Sequence, residues 1–204
     1  MGSKRGNIKR YGLIGRNIAY SFSRGYFKQK FETENLENCT YENFDLNEIK
    51  ELNKILTIKN IYGLNVTTPF KREVVPFLDR LSPTAEKMNA VNTIKFHEDG
   101  TISGHNTDVY GFEKSLLEII STTPKKALIL GTGGASSAVA FVMKKLNIEF
   151  SYGTENEKTG RRVCNAYEKL NEYFLLMYGD NYWPIDLNAM FLNYEKLNVD
   201  ITST

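Results

Sequence analysis

One lysine follows a short apolar strand, in a turn rich in side chains that form hydrogen bonds. The segment from Gly63 to Lys71 reads Gly-Leu-Asn-Val-Thr-Thr-Pro-Phe-Lys. Residues 61–66 have the pattern of a buried strand, and Pro69 cannot extend a strand ladder, so the chain must turn there. An ammonium at a strand end can transfer a proton or stabilise an oxyanion. Taken alone, however, the segment is better explained as an ordinary turn with a solvated lysine.

Asn65 and Thr67 belong to the same turn as Lys71, and polar groups cluster in three further places. Ser21 and Ser23 follow the first predicted strand, where two hydroxyls beside helix N–H groups suit a carboxylate. The alternative is a simple helix cap. Three other polar residues are Asn92, which begins a predicted strand, His105, and Asp108, in the first turn of a predicted helix. For Asp108 the alternative is capping and complementation of the helix dipole.

A glycine-rich turn lies between a predicted strand and a predicted helix. It reads Gly131-Thr132-Gly133-Gly134-Ala135-Ser136. Gly131 permits a tight turn, Gly133 lets the backbone approach a pyrophosphate, and the helix N-terminus favours the phosphate charge. Ser136 occupies the place of the usual third glycine and is still small. The context favours phosphate binding over a plain tight turn.

The residues after the next strand bear on which ribose this turn would accept. Glu155 is suited to a free 2′-hydroxyl, whereas Lys158, Arg161 and Arg162 are suited to a 2′-phosphate. The same charges also fit the solvated start of a helix. The sequence therefore leaves the cofactor preference open.

Strand-like and helix-like patterns alternate along most of the chain, which predicts an α/β fold. The predicted strands are 11–14, 40–44, 61–66, 92–96, 101–103, 126–130 and 148–152. The predicted helices are 23–35, 46–56, 72–80, one starting at 82–83, 107–120, 135–146 and 161–174. A new βαβ pattern begins after residue 124, so we expect an N-terminal domain over 1–105 and a Rossmann-like domain over 106–204.

Composition and charge exclude several classes of function. The 204 residues carry a net charge of +2, which gives no support for a nucleic-acid or anionic-membrane partner. The apolar runs are too short to span a bilayer, and the N-terminus lacks the apolar segment of a secretory signal. Two distant cysteines and two histidines predict neither a disulfide framework nor a metal site. We expect a cytoplasmic protein without a metal.

Five ordered motifs give the sequence a specific likeness to one family. They are Tyr20–Ser23, Asn65–Lys71, Asn89–Thr93, Gly104–Phe112 and Gly131–Ser136. Their order and spacing, over about residues 10–152, resemble the shikimate dehydrogenase family. The resemblance implies an N-terminal α/β substrate-binding domain followed by a Rossmann-like nucleotide-binding domain.

The resemblance also implies a reaction and its residues. The reaction is the reversible NADPH-dependent reduction of 3-dehydroshikimate to shikimate, in aromatic amino-acid biosynthesis. Lys71 and Asp108 would form the catalytic pair, and Gly131–Ser136 would bind NADP. The residues expected to bind substrate are Ser21, Ser23, Asn65, Thr67, Asn92 and Asp108. The expected partners are small molecules, and the expected state is a monomer or a homodimer.

Some positions depart from the family pattern. Tyr20 and Arg24 stand where the family usually has histidine and proline, and Gly153 or Thr154 stands where NADP-type members have arginine. Late family motifs are not visible in 153–204, so we expect a nucleotide-binding domain that is incomplete at its C-terminus. Two alternatives follow: a quinate/shikimate dehydrogenase that uses NAD, and a shikimate-binding homologue without turnover.

Overall fold

The computed structural model describes residues 7–120, 126–129, 134–152, 161, 164 and 167–169. The elements described lie in a compact unit that spans residues 1–171, and a second unit, 172–204, lies outside the described residues. The strands are β1 (Lys9–Gly15), β2 (Cys39–Asp45), β3 (Ile61–Val66), β4 (Arg80–Leu81), β5 (Thr93–Phe96), β6 (Ile102–His105), β7 (Lys126–Ile129) and β8 (Glu149–Tyr152). The α-helices are α1 (Phe22–Thr33), α2 (Leu52–Leu56), α3 (Pro83–Met88), α4 (Asp108–Ile119) and α5 (Gly134–Lys145), and 3-10 helices cover Ile49–Glu51, Val75–Phe77 and Tyr167–Lys169.

The first six strands form one mixed sheet in the order β2-β1-β3-β5-β6-β4. Strand β1 pairs in parallel with both β2 and β3, whereas β5 and β6 form an antiparallel hairpin beside β3. The parallel strands β1 and β3 therefore end at the same edge of the sheet. The loops that follow them carry Ser21 and Lys71, so this edge is where the predicted site must form.

Two apolar layers hold this sheet. On one face the fully buried side chains of Ile14, Leu64 and Ile94 pack with Phe70 and Val74 from the segment after β3. Burial of such side chains contributes about 1.5–3 kcal/mol each to folding. Because Phe70 is one residue before Lys71, its burial anchors the lysine-bearing loop to the core.

Aromatic rings of α1 cover part of the other face. Phe27 stacks on Tyr41 of β2 with ring centroids 4.4 Å apart and an interplanar angle of 9°. Phe31 contacts Tyr11 of β1 at 5.7 Å. Helix α1 begins at Phe22 because the Ser21 side chain accepts a hydrogen bond from the Ser23 backbone N–H.

A second, smaller arrangement follows the first sheet. Strands β7 and β8 pair in parallel, and α5 connects them. Helix α5 packs against α4 through a cluster that includes Val109, Ala138 and Val142. This strand–helix–strand order agrees with the predicted α/β class, and the predicted division at residues 105 and 106 stays a prediction.

One predicted helix is wrong. Residues 72–80 form turns, the short 3-10 helix Val75–Phe77 and the start of β4. Pro76 lacks a backbone donor, and Leu78 is extended, so an α-helix cannot continue through the segment. The predicted helix over 46–56 starts later than expected, at Ile49, and its first turn is 3-10.

Most of the predicted helix over 161–174 lies outside the described residues. The part that the structure describes includes the 3-10 helix Tyr167–Lys169. The remaining predicted strands and helices are confirmed, with ends that differ by a few residues.

Candidate active site

Lys71 and Asp108 form an ion pair at the edge of the sheet. The Lys71 Nζ donates a hydrogen bond to Asp108 Oδ2 over 2.7 Å, and the two side chains are only 18% and 31% exposed. The Lys71 backbone carbonyl accepts a hydrogen bond from the Val91 N–H at 2.7 Å. Lysine is flexible when solvated, so these contacts fix an ammonium that would otherwise sample many rotamers.

Asn92 engages the second oxygen of the same carboxylate. Its Nδ2 donates to Asp108 Oδ1 at 2.7 Å, and its Oδ1 accepts the Thr107 backbone N–H at 2.9 Å. Both carboxylate oxygens of Asp108 therefore have a donor. The structure thus brings together three of the residues predicted from sequence, Lys71, Asn92 and Asp108.

A buried asparagine fixes the start of α4. Asn106 is 7% exposed, and its Nδ2 donates to the Ala90 carbonyl at 3.1 Å. Its Oδ1 accepts the Asp108 backbone N–H at 3.1 Å. The side chain joins the segment before Asn92 to the first residue of α4, so it holds Asn92 and Asp108 in register.

The other predicted substrate-binding residues lie around the same strand ends. Asn65 is on β3 and accepts a hydrogen bond from the Tyr41 hydroxyl at 2.8 Å, and the Thr67 N–H donates to the Ile14 carbonyl. Ser21 and Ser23 are half-buried at the start of α1. Among the described residues, no hydrogen bond joins these four side chains to the Lys71–Asp108 pair.

The glycine-rich turn is only partly described. Gly131, Thr132 and Gly133 lie outside the described residues, while Gly134, Ala135 and Ser136 form the first turn of α5. A four-residue connection therefore joins β7 to α5, and β8 runs parallel to β7. This arrangement fits a dinucleotide phosphate at the N-terminus of α5.

The residues predicted to recognise the ribose fall mostly outside the described residues. These are Glu155, Lys158 and Arg162; Arg161 is described, and it is exposed.

One contact connects the lysine loop to the first turn of α5. The guanidinium of Arg72 donates to the Ser137 Oγ at 3.2 Å. Helix α4, which begins at Asp108, also packs against α5. The helix expected to hold the cofactor is therefore beside the lysine.

A chain of three polar side chains, His97 just after β5 and Ser103 and His105 on β6, lies outside the Lys71 cluster. The buried Ser103 Oγ is 2.7 Å from His97 Nε2 and 2.9 Å from His105 Nε2. If both imidazoles were protonated, both Nε2 atoms would be donors. The hydroxyl proton of Ser103 would then have no acceptor among these three side chains. Burial, with the charges of Lys95 and His97, lowers the pKa of His105 below its ordinary value.

We expect this pKa to make stability depend on pH. A folded-state pKa below 6.5 means that the unfolded chain binds the proton more tightly, so stability is full above that value and falls as pH decreases through the folded pKa. Urea unfolding at pH about 7.5 and about 5.5 measures the loss. His105→Gln should show a smaller loss between these pH values than the wild type. An unchanged loss would contradict this assignment.

Two residues of the site did not stand out from the sequence. Tyr41 lies on β2, and β1 separates it from Asn65 on β3, so their contact depends on strand order. Asn106 lies within the motif that contains Asp108, but its carboxamide is a buried bridge rather than a ligand group. An asparagine two residues before a helix start was the available signal for Asn106.

The described residues show neither a metal-binding cluster nor a membrane-spanning helix. No group of three or more His, Cys, Asp or Glu side chains there is placed to hold a metal ion. No helix in the part of the chain that the structure describes is long and apolar enough to cross a membrane.

Comparisons with known proteins identify relatives of this chain. Residues 13–94 match the family described as the shikimate dehydrogenase substrate binding domain. The Shikimate dehydrogenase (NADP(+)) of Pelagibacter ubique is 34% identical over 94% of this chain and 76% of its own length.

Solved structures give the same likeness. Shikimate 5-dehydrogenase from Thermus thermophilus, in complex with NADP(H) and shikimate, is 32% identical with a TM-score of 0.64, over 79% of this chain and 60% of that chain. Quinate dehydrogenase from Corynebacterium glutamicum, in complex with NAD, is 26% identical with a TM-score of 0.64, over 72% and 55%. Two further curated relatives are matched over 51% and 48% of their length, so the chain spans about half of those proteins.

Proposed function

This chain belongs to the shikimate dehydrogenase family, and we propose that it catalyses the reversible NADPH-dependent reduction of 3-dehydroshikimate to shikimate. The observation that carries the proposal is the Lys71–Asp108–Asn92 cluster at the edge of the sheet. The family's motifs would require these residues to meet, and they come from three separate segments of the chain.

In the proposed mechanism, Lys71 is the proton donor. Reduction of a ketone places negative charge on its oxygen, and an ammonium can stabilise that charge and then donate its proton. The 2.7 Å contact with Asp108 orients Nζ. In the reverse direction the neutral amine would accept the proton of the alcohol.

Asp108 and Asn92 would bind ring hydroxyls as well as orient Lys71. A carboxylate accepts a hydrogen bond from a hydroxyl, and a carboxamide can either donate or accept one. The contact of Asn92 with Asp108 fixes how both groups face the ligand. Asn65 and Thr67, at the end of the neighbouring strand, would contact further ring hydroxyls.

Ser21 and Ser23 would bind the substrate carboxylate. Both lie at the N-terminus of α1, where the helix dipole favours an anion, and each hydroxyl can donate to a carboxylate. Arg16 also lies in the loop after β1, with its guanidinium 5.3 Å from the centre of the Phe70 ring, so positive charge is present near this edge.

NADP is the proposed cofactor, and when bound it supplies the hydride. Gly131, Thr132, Gly133, Gly134, Ala135 and Ser136 would hold it. The short connection from β7 to α5 and the parallel pairing of β8 fit this assignment.

We further propose that residues 1–105 are the substrate-binding domain and that 106–204 are a partial nucleotide-binding domain. We also propose that the protein is a cytoplasmic monomer or homodimer.

A second candidate is quinate oxidation with NAD. The quinate dehydrogenase structure similar to this chain is in complex with NAD, and quinate shares the carboxylate and ring hydroxyls of shikimate. Turnover with shikimate or quinate and NADP⁺ or NAD⁺, followed at the nicotinamide absorbance, separates the candidates. We expect shikimate with NADP⁺ to be fastest.

The turnover measurements, together with calorimetric binding of shikimate, test whether the chain is an enzyme. Calorimetric binding of shikimate without any change in nicotinamide absorbance would instead support a binding protein that lacks turnover. Absence of shikimate binding would refute the proposed function.

A further inference from the structure

Tyr41 contacts one of the proposed substrate-binding residues, Asn65, although the two residues lie two strands apart. Its hydroxyl donates a 2.8 Å hydrogen bond to the Oδ1 of Asn65. Strand β1 lies between β2 and β3, so the two backbones are about 10 Å apart. Only a long, rigid side chain that lies across β1 can make this contact.

The surroundings of Tyr41 fix the position of its hydroxyl. The Tyr41 ring stacks on the Phe27 ring of α1 with centroids 4.4 Å apart. This stacking restricts the ring, so its hydroxyl extends along the sheet. Burial raises the pKa of Tyr41 to about 12, and a hydrogen bond with the Ser23 side chain partly opposes that rise. The hydroxyl is therefore protonated, and a donor, at any physiological pH.

The hydrogen bond determines which group Asn65 can offer to a ligand. A carboxamide has one acceptor oxygen and one donor NH₂. With Oδ1 directed to Tyr41, the NH₂ is directed away from it, so Asn65 is set to bind a ligand oxygen by donating to it. If the amide had the opposite orientation, it would present its oxygen, an acceptor, to the ligand instead of the NH₂.

We propose that Tyr41 is a positioning residue that presents the amide NH₂ of Asn65 to a polyhydroxylated cyclic carboxylate. This role rests on the proposed function. Tyr41 touches neither the Lys71–Asp108 pair nor the start of α5 in the described hydrogen bonds. Its effect should therefore fall on substrate binding and leave the chemical step unchanged.

Tyr41→Phe tests the proposal, because it removes the hydroxyl and keeps the ring that stacks on Phe27. We expect the Kd of shikimate by calorimetry, and its KM, to rise about 10-fold, with kcat changed less than about 3-fold. Tyr62→Phe is the matched control, since Tyr62 is 42% exposed on β3, and it should leave both constants unchanged.

A double-mutant cycle with Asn65→Ala distinguishes the proposed role from a purely structural effect of Tyr41→Phe. In Asn65→Ala the partner of the hydroxyl is absent, so adding Tyr41→Phe should raise the Kd much less than it does in the wild type. An equal rise in both backgrounds would overturn the proposal, as would unchanged shikimate binding in Tyr41→Phe alone. A wild-type chain that binds no shikimate would refute the proposed function itself, whereas normal wild-type binding with an unaffected Tyr41→Phe would refute only this inference.

Discussion

Lys71→Ala is expected to lower turnover about 100-fold or more, with a smaller change in shikimate affinity. Alanine removes the ammonium that would donate the proton, and no other cation contacts the Asp108 carboxylate among the described ion pairs. The measurement is steady-state oxidation of shikimate, together with calorimetric binding of shikimate to each protein.

Lys87→Ala provides the control for this experiment. Lys87 lies in the last turn of α3, where its side chain is exposed. Its removal should leave both constants unchanged. Turnover of Lys71→Ala close to that of the wild type would contradict the role of Lys71 as proton donor.

Asp108→Asn is expected to have an effect of similar size, about 100-fold or more on turnover. The carboxylate accepts from Lys71 through Oδ2 and from Asn92 through Oδ1, both at 2.7 Å. A carboxamide has only one oxygen, so one of these contacts would place two donors against each other. Lys71 would also lose its counter-ion while it is only 18% exposed.

The Asp108 prediction differs from that for Lys71 in its effect on binding. Because Asp108 is also proposed to bind a ring hydroxyl, KM for shikimate should rise together with the fall in kcat. Glu118→Gln on the exposed face of α4 is the matched control. A variant at Asp108 that retains wild-type kcat and KM would remove this residue from the proposed site.

The local elements were largely predictable from the sequence. Residues 61–66 formed a strand as predicted, and Ser82 with Pro83 marked the start of α3. The helix expected over 72–80 failed because its apolar spacing reflects the buried anchor Val74 and the turn at Pro76. A helical period and a buried irregular segment give similar apolar spacing over so few residues.

The candidate site was predictable to a different degree at each residue. The types of Lys71, Asp108 and Ser21, and their places at element ends, made them candidates, and the five ordered motifs of the family resemblance gave them roles. Tyr41 was not predictable, because its hydroxyl reaches Asn65 only if β1 lies between β2 and β3. Nothing in the local pattern of β2 specifies its neighbour in the sheet.

The sequence alone determined the identity of the reactive groups and the ends of the elements that carry them, since strand and helix periods, prolines and caps act over a few residues. Only the tertiary structure decided which groups meet. Lys71 and Asp108 are 37 positions apart in the sequence. Their ion pair depends on the β5–β6 hairpin, which pairs with β3 and so places the start of α4 near the end of β3. Strand order and helix packing are settled by the burial of the whole core, and no single segment contains that information.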